Sequence, residues 1–456
     1  MRPILAAVAA LAALILGPAV PLRAQPVPAG TAPPDPRRTP AVEVFQHWKD
    51  SVIYLTGPEI TGRTPTTAEF FRVDDKGKRE SFTMGSGFVV HESGYVLTNA
   101  HATEKMISSY VTLSDGKKYP AELIGVARRH DLALLKIDPD RPLQPVRFGR
   151  SGDFLVGETV IVIANPHGLL QTCTVGVISA AGRATQPSGL PGIVLHDLLQ
   201  TDASINPGSS GGPWFNVLGE VIGVTTSRRA DSENIAFAVA ISAVRQALPE
   251  MLDVERSAGI AIGLELEAPD PCRVAGVAPG SPAAVAGIRP GDVVATVDGR
   301  PILGRAEFYF ALVGHKPQQT LKLQLLRAPA AGQPAAKPIE ASLTLGARAK
   351  PDVAALLKQR FGMTAVPLEP ARAQTMGLRS QRGVRITGLD KALYEKLKDP
   401  PLPDDVLARV NDIRPRDLDH LGLLLERIRP SEPVHMVLLR RTENLVTRID
   451  LTITGR

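Results

Sequence analysis

The sequence predicts a mainly β protein with more than one domain. Between residues 41 and 240, apolar runs such as SGFVV, YVLTNA, YVTL and LALLKI alternate with Gly, Pro and Asp, and a helical period is almost absent. Short strands separated by turn residues are typical of an all-β sandwich or barrel. The 456 residues suggest about three domains. Hydrophobic residues make up 44% of the chain, which is enough for packed cores.

The chain begins with MRPILAAVAALAALILGPAVPLRAQ, which has the pattern of a secretory signal peptide over residues 1–24. The alternative is a membrane anchor, but the apolar run from Ile4 to Leu16 is shorter than the roughly 20 residues that a spanning helix needs. We therefore expect export, to the periplasm or outside the cell, with no membrane anchor in the mature chain. Residues 25–40 are rich in Pro and Ala and predict an extended linker.

Charge and cysteine content argue against several classes of function. The formal net charge is only +6 and the basic residues are scattered, so no nucleic-acid-binding surface is expected. Cys173 and Cys272 fall in different predicted domains, which favours two packed thiols while leaving a disulfide open. No histidine pair has the spacing of metal ligands, so we expect neither a metal nor another cofactor.

The region after residue 240 differs from the β-rich part. ISAVRQALPEML predicts a short amphipathic helix from Ile241 to Leu252. Beyond it lies a weak internal repeat, because IRPGDVVATV at residues 288–297 aligns with PLPDDVLARV at residues 401–410. Each copy is followed by a helical stretch and then by strands. The repeat predicts two copies of one small domain of about 90 to 100 residues.

A glycine-rich stretch, INPGSSGGP at residues 205–213, is the first candidate for a functional site. Gly and Ser clusters are common in linkers, but this one lies between apolar runs, and the segment after it predicts a hairpin around Leu218 and Gly219. A glycine-dense turn between buried strands is typical of a place where the backbone approaches a ligand closely. The stretch therefore predicts a turn that presents a hydroxyl.

A serine hydroxyl becomes a good nucleophile only when a base accepts its proton and a third group orients that base. YVLTNAHA supplies His101 after an apolar run, and RRHDLALLKI supplies Asp131 at the head of a predicted buried strand. Ser210 follows in the glycine-rich turn. The order His, Asp, Ser is the order found in chymotrypsin-like enzymes.

Seven segments in order, GSGFVV, TNAHA, HDLALLKI, GETVIVIANPHGL, TVGVISA, QTDASINPGSSGG and IAFAVAI, resemble the motifs of the HtrA/Deg family. The resemblance covers almost the whole mature chain, because this family carries PDZ domains after its protease domain. It implies a chymotrypsin-like double β-barrel protease domain at residues 41–253. It further implies a PDZ domain at residues 257–347 and a divergent PDZ-like domain at residues 354–456.

The resemblance also implies roles for individual residues. Ser210 is then the nucleophile, His101 the general base and acid, and Asp131 the residue that orients it. The oxyanion hole falls on Gly208, Ser209 and Ser210, with the backbone N–H groups of the first and last as donors. The sequence departs from the family pattern at Ser209, where Asn is usual, and this side chain lies outside the triad.

The expected substrate pocket carries no charge. Trypsins have an Asp six residues before the nucleophile, and Ser204 stands at that position. Ile205 is expected to line the pocket, with Ser227 and Ala236 as walls by resemblance. Such a pocket selects small or medium aliphatic side chains, each methylene contributing about 1–3 kcal/mol. The expected substrates are unfolded or damaged polypeptides.

The first PDZ domain is expected to bind the C-termini of peptides. Its carboxylate loop would be Ile262, Gly263 and Leu264, and Phe308 and Leu312 would be the walls of the pocket for the last side chain. For these two residues, ordinary core packing is the alternative.

Family members form trimers through aromatic residues near the mature N-terminus. Phe45 and Trp48 are the exposed candidates here, and core packing is again the alternative. We therefore expect a homo-oligomer, a trimer or a multiple of one. The function expected from all these features is an exported serine endopeptidase of envelope protein quality control. Two alternatives stay open: a PDZ-based binding protein or holdase, and a regulatory protease with a single signalling substrate.

Overall fold

The computed structural model describes residues 35–58, 71–73, 79–104, 106, 109–187, 192–228, 233–268, 270–328, 338–375, 383–395, 397–411, 413–442 and 445–455. The predicted signal peptide at residues 1–24 and most of the predicted linker lie outside the described residues. Among the residues described, no helix is both long and apolar enough to cross a membrane.

The helices are short and lie mainly outside the two N-terminal sheets. Helix α1 begins after Thr39, whose hydroxyl accepts a hydrogen bond from the backbone N–H of Val42 and so caps the helix. The helix predicted from Ile241 to Leu252 is confirmed with the same bounds. The helices of the described residues are α1 (Pro40–Trp48), α2 (Ala100–Glu104), α3 (Ile241–Leu252), α4 (Val254–Ser257), α5 (Pro282–Val285), α6 (Arg305–Ala311), α7 (Val353–Phe361), α8 (Pro370–Thr375), α9 (Lys391–Tyr394) and α10 (Leu418–Arg427).

The first sheet closes into a six-stranded barrel. Its strands are β1 (Val52–Pro58), β2 (Phe71–Val73), β3 (Arg79–His91), β4 (Tyr95–Thr98), β5 (Ser109–Thr112), β6 (Lys118–Ala127) and β7 (Leu132–Lys136). The order is β1-β5-β6-β7-β4-β3, and β3 returns to pair with β1 in antiparallel register, while β2 extends β3. Closure leaves no free edge in the ring of strands and encloses a core.

The second sheet has the same plan. Its strands are β8 (Arg147–Phe148), β9 (Thr159–Ala164), β10 (Thr172–Thr185), β11 (Leu195–Thr201), β12 (Pro213–Phe215), β13 (Glu220–Arg228) and β14 (Ala236–Ala240). The order is β12-β9-β10-β11-β14-β13, and β13 closes the ring on β12. The hairpin predicted around Leu218 and Gly219 is this β12–β13 pair. The expected double barrel is therefore confirmed.

The first C-terminal unit is built from short strands and two helices. Its strands are β15 (Ile260–Ala261), β16 (Leu264–Leu266), β17 (Val274–Val277), β18 (Val293–Val297), β19 (Arg300–Pro301), β20 (Thr320–Leu326), β21 (Ile339–Thr344) and β22 (Gly346–Ala347). Strands β20 and β21 alternate buried and exposed residues, as expected for a sheet with one face on a core.

The second C-terminal unit has a five-stranded sheet and a core of its own. Its strands, in sheet order, are β23 (Met363–Pro367), β24 (Val384–Leu389), β25 (Val406–Val410), β26 (Pro433–Thr442) and β27 (Leu445–Thr454). The core lies between this sheet and the helices α7 and α10. Leu357, Phe361, Leu421, Leu424 and Leu425 are the buried helical residues that fill it.

The internal repeat is present in the structure, and it extends beyond the aligned segment. In the first copy, the buried carboxylate of Asp292 accepts bonds from the Arg327 guanidinium, the shorter at 2.7 Å. In the second copy, Asp405 and Arg440 make the same pair, also at 2.7 Å. In each pair the aspartate and the arginine are 35 residues apart in the sequence. Strands β18 and β25 therefore occupy equivalent positions in the two copies.

A buried arginine links the double barrel to the first C-terminal unit. Arg245 on α3 is fully buried, and its Nη1 lies 2.8 Å from the Glu307 carboxylate on α6. Its Nε donates to the carbonyl of Gly149. Since an uncompensated buried charge costs several kcal/mol, Glu307 holds α6 against the barrel.

The aromatic residues near the N-terminus pack inward. The expectation that Trp48 is exposed is wrong, because the side chain is 3% exposed and stacks on Phe215 with ring centroids 6.0 Å apart. Phe45 is half-buried against the same core. Trimer formation stays a prediction, and Trp48 is not available for the contact. Cys173 and Cys272 are both free thiols, but only Cys272 is packed as favoured, and the expectation of a packed Cys173 is wrong because its side chain is exposed. Burial raises the pKa of Cys272 to about 12.

Candidate active site

His101 and Asp131 form a hydrogen-bonded pair on the first barrel. Asp131 precedes strand β7, and His101 lies on helix α2, just after strand β4. Because β4 and β7 are neighbouring antiparallel strands, the two residues meet at one end of the barrel. The imidazole Nδ1 lies 2.7 Å from Asp131 Oδ2, and the backbone N–H of His101 donates to Oδ1 at 3.0 Å. The carboxylate therefore fixes both the ring and the backbone of His101.

Two further residues hold the Asp131 carboxyl group and its backbone, and sequence reasoning missed both. The Thr226 hydroxyl donates to Asp131 Oδ2 at 2.5 Å, and the Asn99 side-chain amide donates to the Asp131 carbonyl at 2.9 Å. All three residues are buried. Thr226 belongs to the second barrel, 95 residues away in sequence, so no local pattern connects it to Asp131.

The turn that carries Ser210 is bound to strand β3 of the first barrel. The backbone N–H of Ser86 donates to the Ser210 carbonyl at 2.7 Å. Gly211 follows with φ of +86°, and a Cβ at this position would lie 2.2 Å from the Ser86 carbonyl oxygen. Only glycine fits so close to another backbone, which agrees with the prediction of a tight turn between buried strands.

Ser210 lies beside the His101 helix. A Cβ built on Gly85 would contact both the Ser210 carbonyl oxygen and the Ala102 Cβ, each at 3.4 Å. Ala102, the residue after His101, and the backbone of Ser210 thus both lie next to Gly85 on β3. Within the described residues, the Ser210 hydroxyl makes no hydrogen bond, and catalytic hydrogen bonds of ligand-free enzymes often shorten only when substrate binds.

Two backbone donors of the turn are unpaired. Among the described residues, the N–H groups of Gly208 and Ser210 make no hydrogen bond, whereas the N–H of Ser209 donates to the Asn206 carbonyl at 2.9 Å. The Ser209 side chain is buried and accepts a long bond from the Asn206 N–H. The turn therefore offers two free donors that flank one occupied donor.

The predicted pocket residues lie close together in the second barrel. Ser204 and Ile205 follow β11, Ser227 lies on β13, and Ala236 begins β14, which pairs with both of those strands. Ser204 is exposed, Ile205 is half-buried, and Ala236 is buried. The Ser227 hydroxyl oxygen is buried and has no partner among the described residues. No acidic side chain belongs to this set.

The predicted peptide site of the first PDZ domain is partly different from the expectation. Phe308 and Leu312 are 1% and 0% exposed and belong to the hydrophobic core, so the core alternative holds for both. In the loop, Gly263 has φ of +79° and lies against Ser281, where a Cβ would clash. The backbone N–H of Ile262 donates to the carboxylate of Glu255 at 3.1 Å.

The second C-terminal unit also contacts the first barrel near His101. Arg409 on β25 donates to the carbonyl of Met106 at 2.7 Å and to that of Glu104 at 3.4 Å. Glu104 is the last residue of helix α2, which carries His101. A guanidinium at the C-terminal end of a helix satisfies carbonyl groups that lack a partner in the helix.

Comparisons with known proteins identify chains that are similar in sequence. A family described as "Trypsin-like peptidase domain" matches residues 85–224, and one described as "PDZ domain" matches residues 258–337. A serine protease named HhoA, from Synechocystis, is 37% identical over 266 residues, covering 54% of this chain and 67% of the relative. A periplasmic serine endoprotease described as DegP-like, from Chlamydia trachomatis, is 30% identical over 383 residues, covering 80% of this chain and 74% of the relative. The solved structure "HtrA-type protease AlgW with decapeptide" is 29% identical, covering 68% of this chain and 99% of that one, with a TM-score of 0.39.

The double barrel, the His101–Asp131 pair and the Ser210 turn, followed by a PDZ domain, define a trypsin-like serine endopeptidase. The chain belongs to the HtrA/Deg family of serine proteases. It spans about two thirds of the length of the Synechocystis relative and about three quarters of the Chlamydia relative.

Proposed function

We propose that this protein is an exported endopeptidase that cleaves unfolded or damaged proteins of the cell envelope after small or medium aliphatic residues. Ser210 is the nucleophile, and His101 accepts its proton and later gives it to the leaving amine. Asp131 holds the imidazole in the tautomer that has Nε2 free to act as base. The observation that carries this proposal is the 2.7 Å contact between His101 and the fully buried Asp131, beside the Ser210 turn.

The developing negative charge on the substrate carbonyl has two donors to receive it. The unpaired N–H groups of Gly208 and Ser210 are suited to this role, and each such donor contributes about 3 kcal/mol in the transition state. Ser209 supplies no third donor, because its N–H already donates to the Asn206 carbonyl within the turn.

The composition of the pocket supports a preference for aliphatic side chains. Ile205 and Ala236 are apolar, and Ser204 stands where a carboxylate would select Lys or Arg. With no opposite charge in the pocket, a basic side chain would lose hydration without gaining a partner, whereas Val, Ala or Ile would gain contact.

The pocket assignment predicts the cleavage pattern. Digestion of reduced casein by the purified enzyme should produce new termini mainly after Val, Ala and Ile, because the pocket is uncharged and small. Peptide mass spectrometry of the digest measures the preference. A Ser204→Asp variant serves as the matched control, because it places a carboxylate at the position where trypsins carry one and should add cleavage after Lys and Arg. A wild-type digest dominated by cuts after Lys or Arg would contradict the assignment.

The cellular role follows from chemistry and predicted location. An uncharged small pocket recognises residues that folded proteins bury, so loosened or unfolded chains are the better substrates. The signal-peptide pattern and the periplasmic naming of the relatives support the periplasm as the site of action. The alternatives are a holdase and a regulatory protease with one substrate. Comparing envelope proteomes with and without active enzyme would separate the last from quality control.

The first PDZ domain is proposed to capture free C-termini at the loop Ile262–Leu264. Peptides add as a strand beside such a loop, and its backbone amides hold the terminal carboxylate. The contact of Ile262 N–H with Glu255 supports this assignment, because a carboxylate already lies at the proposed site. With Phe308 and Leu312 in the core, the affinity rests mainly on the backbone and the carboxylate.

Peptides with a free apolar C-terminus should bind the full-length protein, and the same peptides amidated should bind far more weakly. The amide lacks the charge that the loop amides stabilise. Calorimetry on the Ser210→Ala variant, which leaves the peptides uncut, measures both affinities. Glu255→Ala should bind the acid form more tightly than wild type, because the competing carboxylate is gone. Equal affinity for acid and amide forms would show that the loop is not a carboxylate site.

A further inference from the structure

Ser86 on strand β3 makes four hydrogen bonds at and around the Ser210 turn. Its hydroxyl donates to the carbonyl of Gly208 at 2.7 Å, and the same oxygen accepts the backbone N–H of Asn165 at 2.8 Å. Its backbone N–H donates to the Ser210 carbonyl at 2.7 Å. Its carbonyl accepts the Thr98 hydroxyl at 2.7 Å. One residue of the first barrel thus binds two carbonyls of the turn in the second.

The contacts of Ser86 lie in a dry, closed environment. Ser86, Thr98 and Asn165 are each 1% exposed or less, so no water competes for these bonds. Asn165 also donates from its side chain to the Ile53 carbonyl of the first barrel at 2.8 Å. The interface between the two barrels is therefore held by the hydrogen bonds of Ser86 with Gly208 and Asn165 and by the bond between Asn165 and Ile53.

Gly208 needs such an anchor more than other residues do. It has φ of +95°, and glycine moves readily between conformations because it lacks a Cβ. Its N–H and that of Ser210 are the proposed oxyanion donors, and rotation of the Gly208 backbone would turn the first of them away. A hydrogen bond to the Gly208 carbonyl fixes the peptide plane that follows Gly208 and so limits that freedom before substrate arrives.

We propose that Ser86 is a positioning residue for catalysis: its hydroxyl fixes the Gly208 carbonyl so that the Gly208 and Ser210 N–H groups are preorganised for the oxyanion. The inference rests on the proposed function, since it assigns a cause to the geometry of those donors. The backbone bond to Ser210 is open to any residue except proline at position 86. The bond to Gly208 requires a hydroxyl, so the inference concerns the side chain alone.

The test is Ser86→Ala in the full-length protein, with kcat and KM measured on a chromogenic peptide with an aliphatic residue before the scissile bond. Because the donors act in the transition state, kcat should fall at least tenfold while KM changes less than twofold. The loss should be smaller than the roughly 10²–10³ for removing a donor outright. Binding of a peptide aldehyde, whose adduct places an oxyanion in the hole, should weaken by about the same factor as kcat.

Ser51→Ala is the matched control, because Ser51 is also fully buried and its hydroxyl has no partner among the described residues. It should leave kcat and aldehyde binding unchanged. Ser86→Cys guards against a folding defect, since the thiol has a similar size and is a weak donor. Its kcat should lie between those of wild type and Ser86→Ala, with thermal unfolding near that of wild type.

The outcomes separate this inference from the proposed function. If Ser86→Ala folds and keeps wild-type kcat and aldehyde affinity, the inference is wrong while the triad is untouched. A rise in KM with unchanged kcat would also overturn the inference, because that pattern shows weaker binding of the substrate in its ground state. Turnover retained in Ser210→Ala would overturn the proposed function itself.

Discussion

Ser210→Ala should abolish peptide-bond hydrolysis and leave the fold intact. Removing the nucleophile of a serine protease triad lowers kcat by about 10⁶, because the base and the orienting carboxylate have nothing left to activate. Stability should change little, since the Ser210 hydroxyl makes no hydrogen bond with a described residue and the turn is held by backbone contacts. The measurement is kcat on a chromogenic peptide, with circular dichroism and thermal unfolding on the same sample.

The Ser210→Ala variant also separates the protease from the holdase alternative. A holdase activity that protects denatured citrate synthase from aggregation should persist in the variant, whereas casein cleavage should stop. Ser209→Ala is the matched control, because it removes the neighbouring hydroxyl outside the triad and should keep most of the turnover. Turnover above about 1% of wild type in purified Ser210→Ala would refute the assignment of the nucleophile.

The sequence was sufficient to predict features that local patterns determine. The helix from Ile241 to Leu252 has its predicted bounds because its apolar spacing is a local signal. Asp131 lies directly before the buried strand β7, and that order is visible in the segment HDLALLKI. The hairpin around Gly219 follows from turn residues between two apolar runs. Such features need no knowledge of distant residues.

Contacts between distant segments could not be predicted in this way. Ser86 and Gly208 are 122 residues apart, and nothing near GSGFVV indicates that its serine holds a glycine of the second barrel. The contact between Thr226 and Asp131 could not be predicted for the same reason, because the two residues are 95 positions apart. Trp48 was expected at the surface because family members form trimers through aromatic residues near the mature N-terminus, yet Phe215 supplies a flat partner that buries it.

The repeat illustrates an intermediate case. The aligned segments contain Asp292 and Asp405 at matching positions, so equivalent backbone turns could be expected from the sequence. Their partners, Arg327 and Arg440, lie outside the aligned segment, and each is 35 residues from its aspartate. Because a buried carboxylate needs a compensating charge, the equal spacing becomes interpretable once burial is known.

Asp131→Asn should lower kcat by about 10⁴ while the structure of the active site is retained. Asp131 accepts three hydrogen bonds in the structure, from the His101 backbone N–H, His101 Nδ1 and the Thr226 hydroxyl. Asn has one oxygen and one NH₂ group in place of two acceptor oxygens. If the NH₂ group faced the backbone N–H of His101, two donors that cannot be reversed would oppose each other. The amide oxygen must therefore take that side.

In this orientation the NH₂ group of the introduced amide faces Nδ1 and forces the imidazole into the tautomer with the proton on Nε2. A protonated Nε2 cannot accept the proton of Ser210, so the nucleophile stays inactive although every other residue of the site is in place. The Thr226 hydroxyl can rotate to accept a hydrogen bond from the NH₂ group. Because the base is already inactive in Asp131→Asn, adding Thr226→Val to this variant should cost little further activity. The measurements are kcat for both variants and nitrogen chemical shifts of the His101 ring. Activity within tenfold of wild type, or an unchanged tautomer, would contradict the orienting role of Asp131.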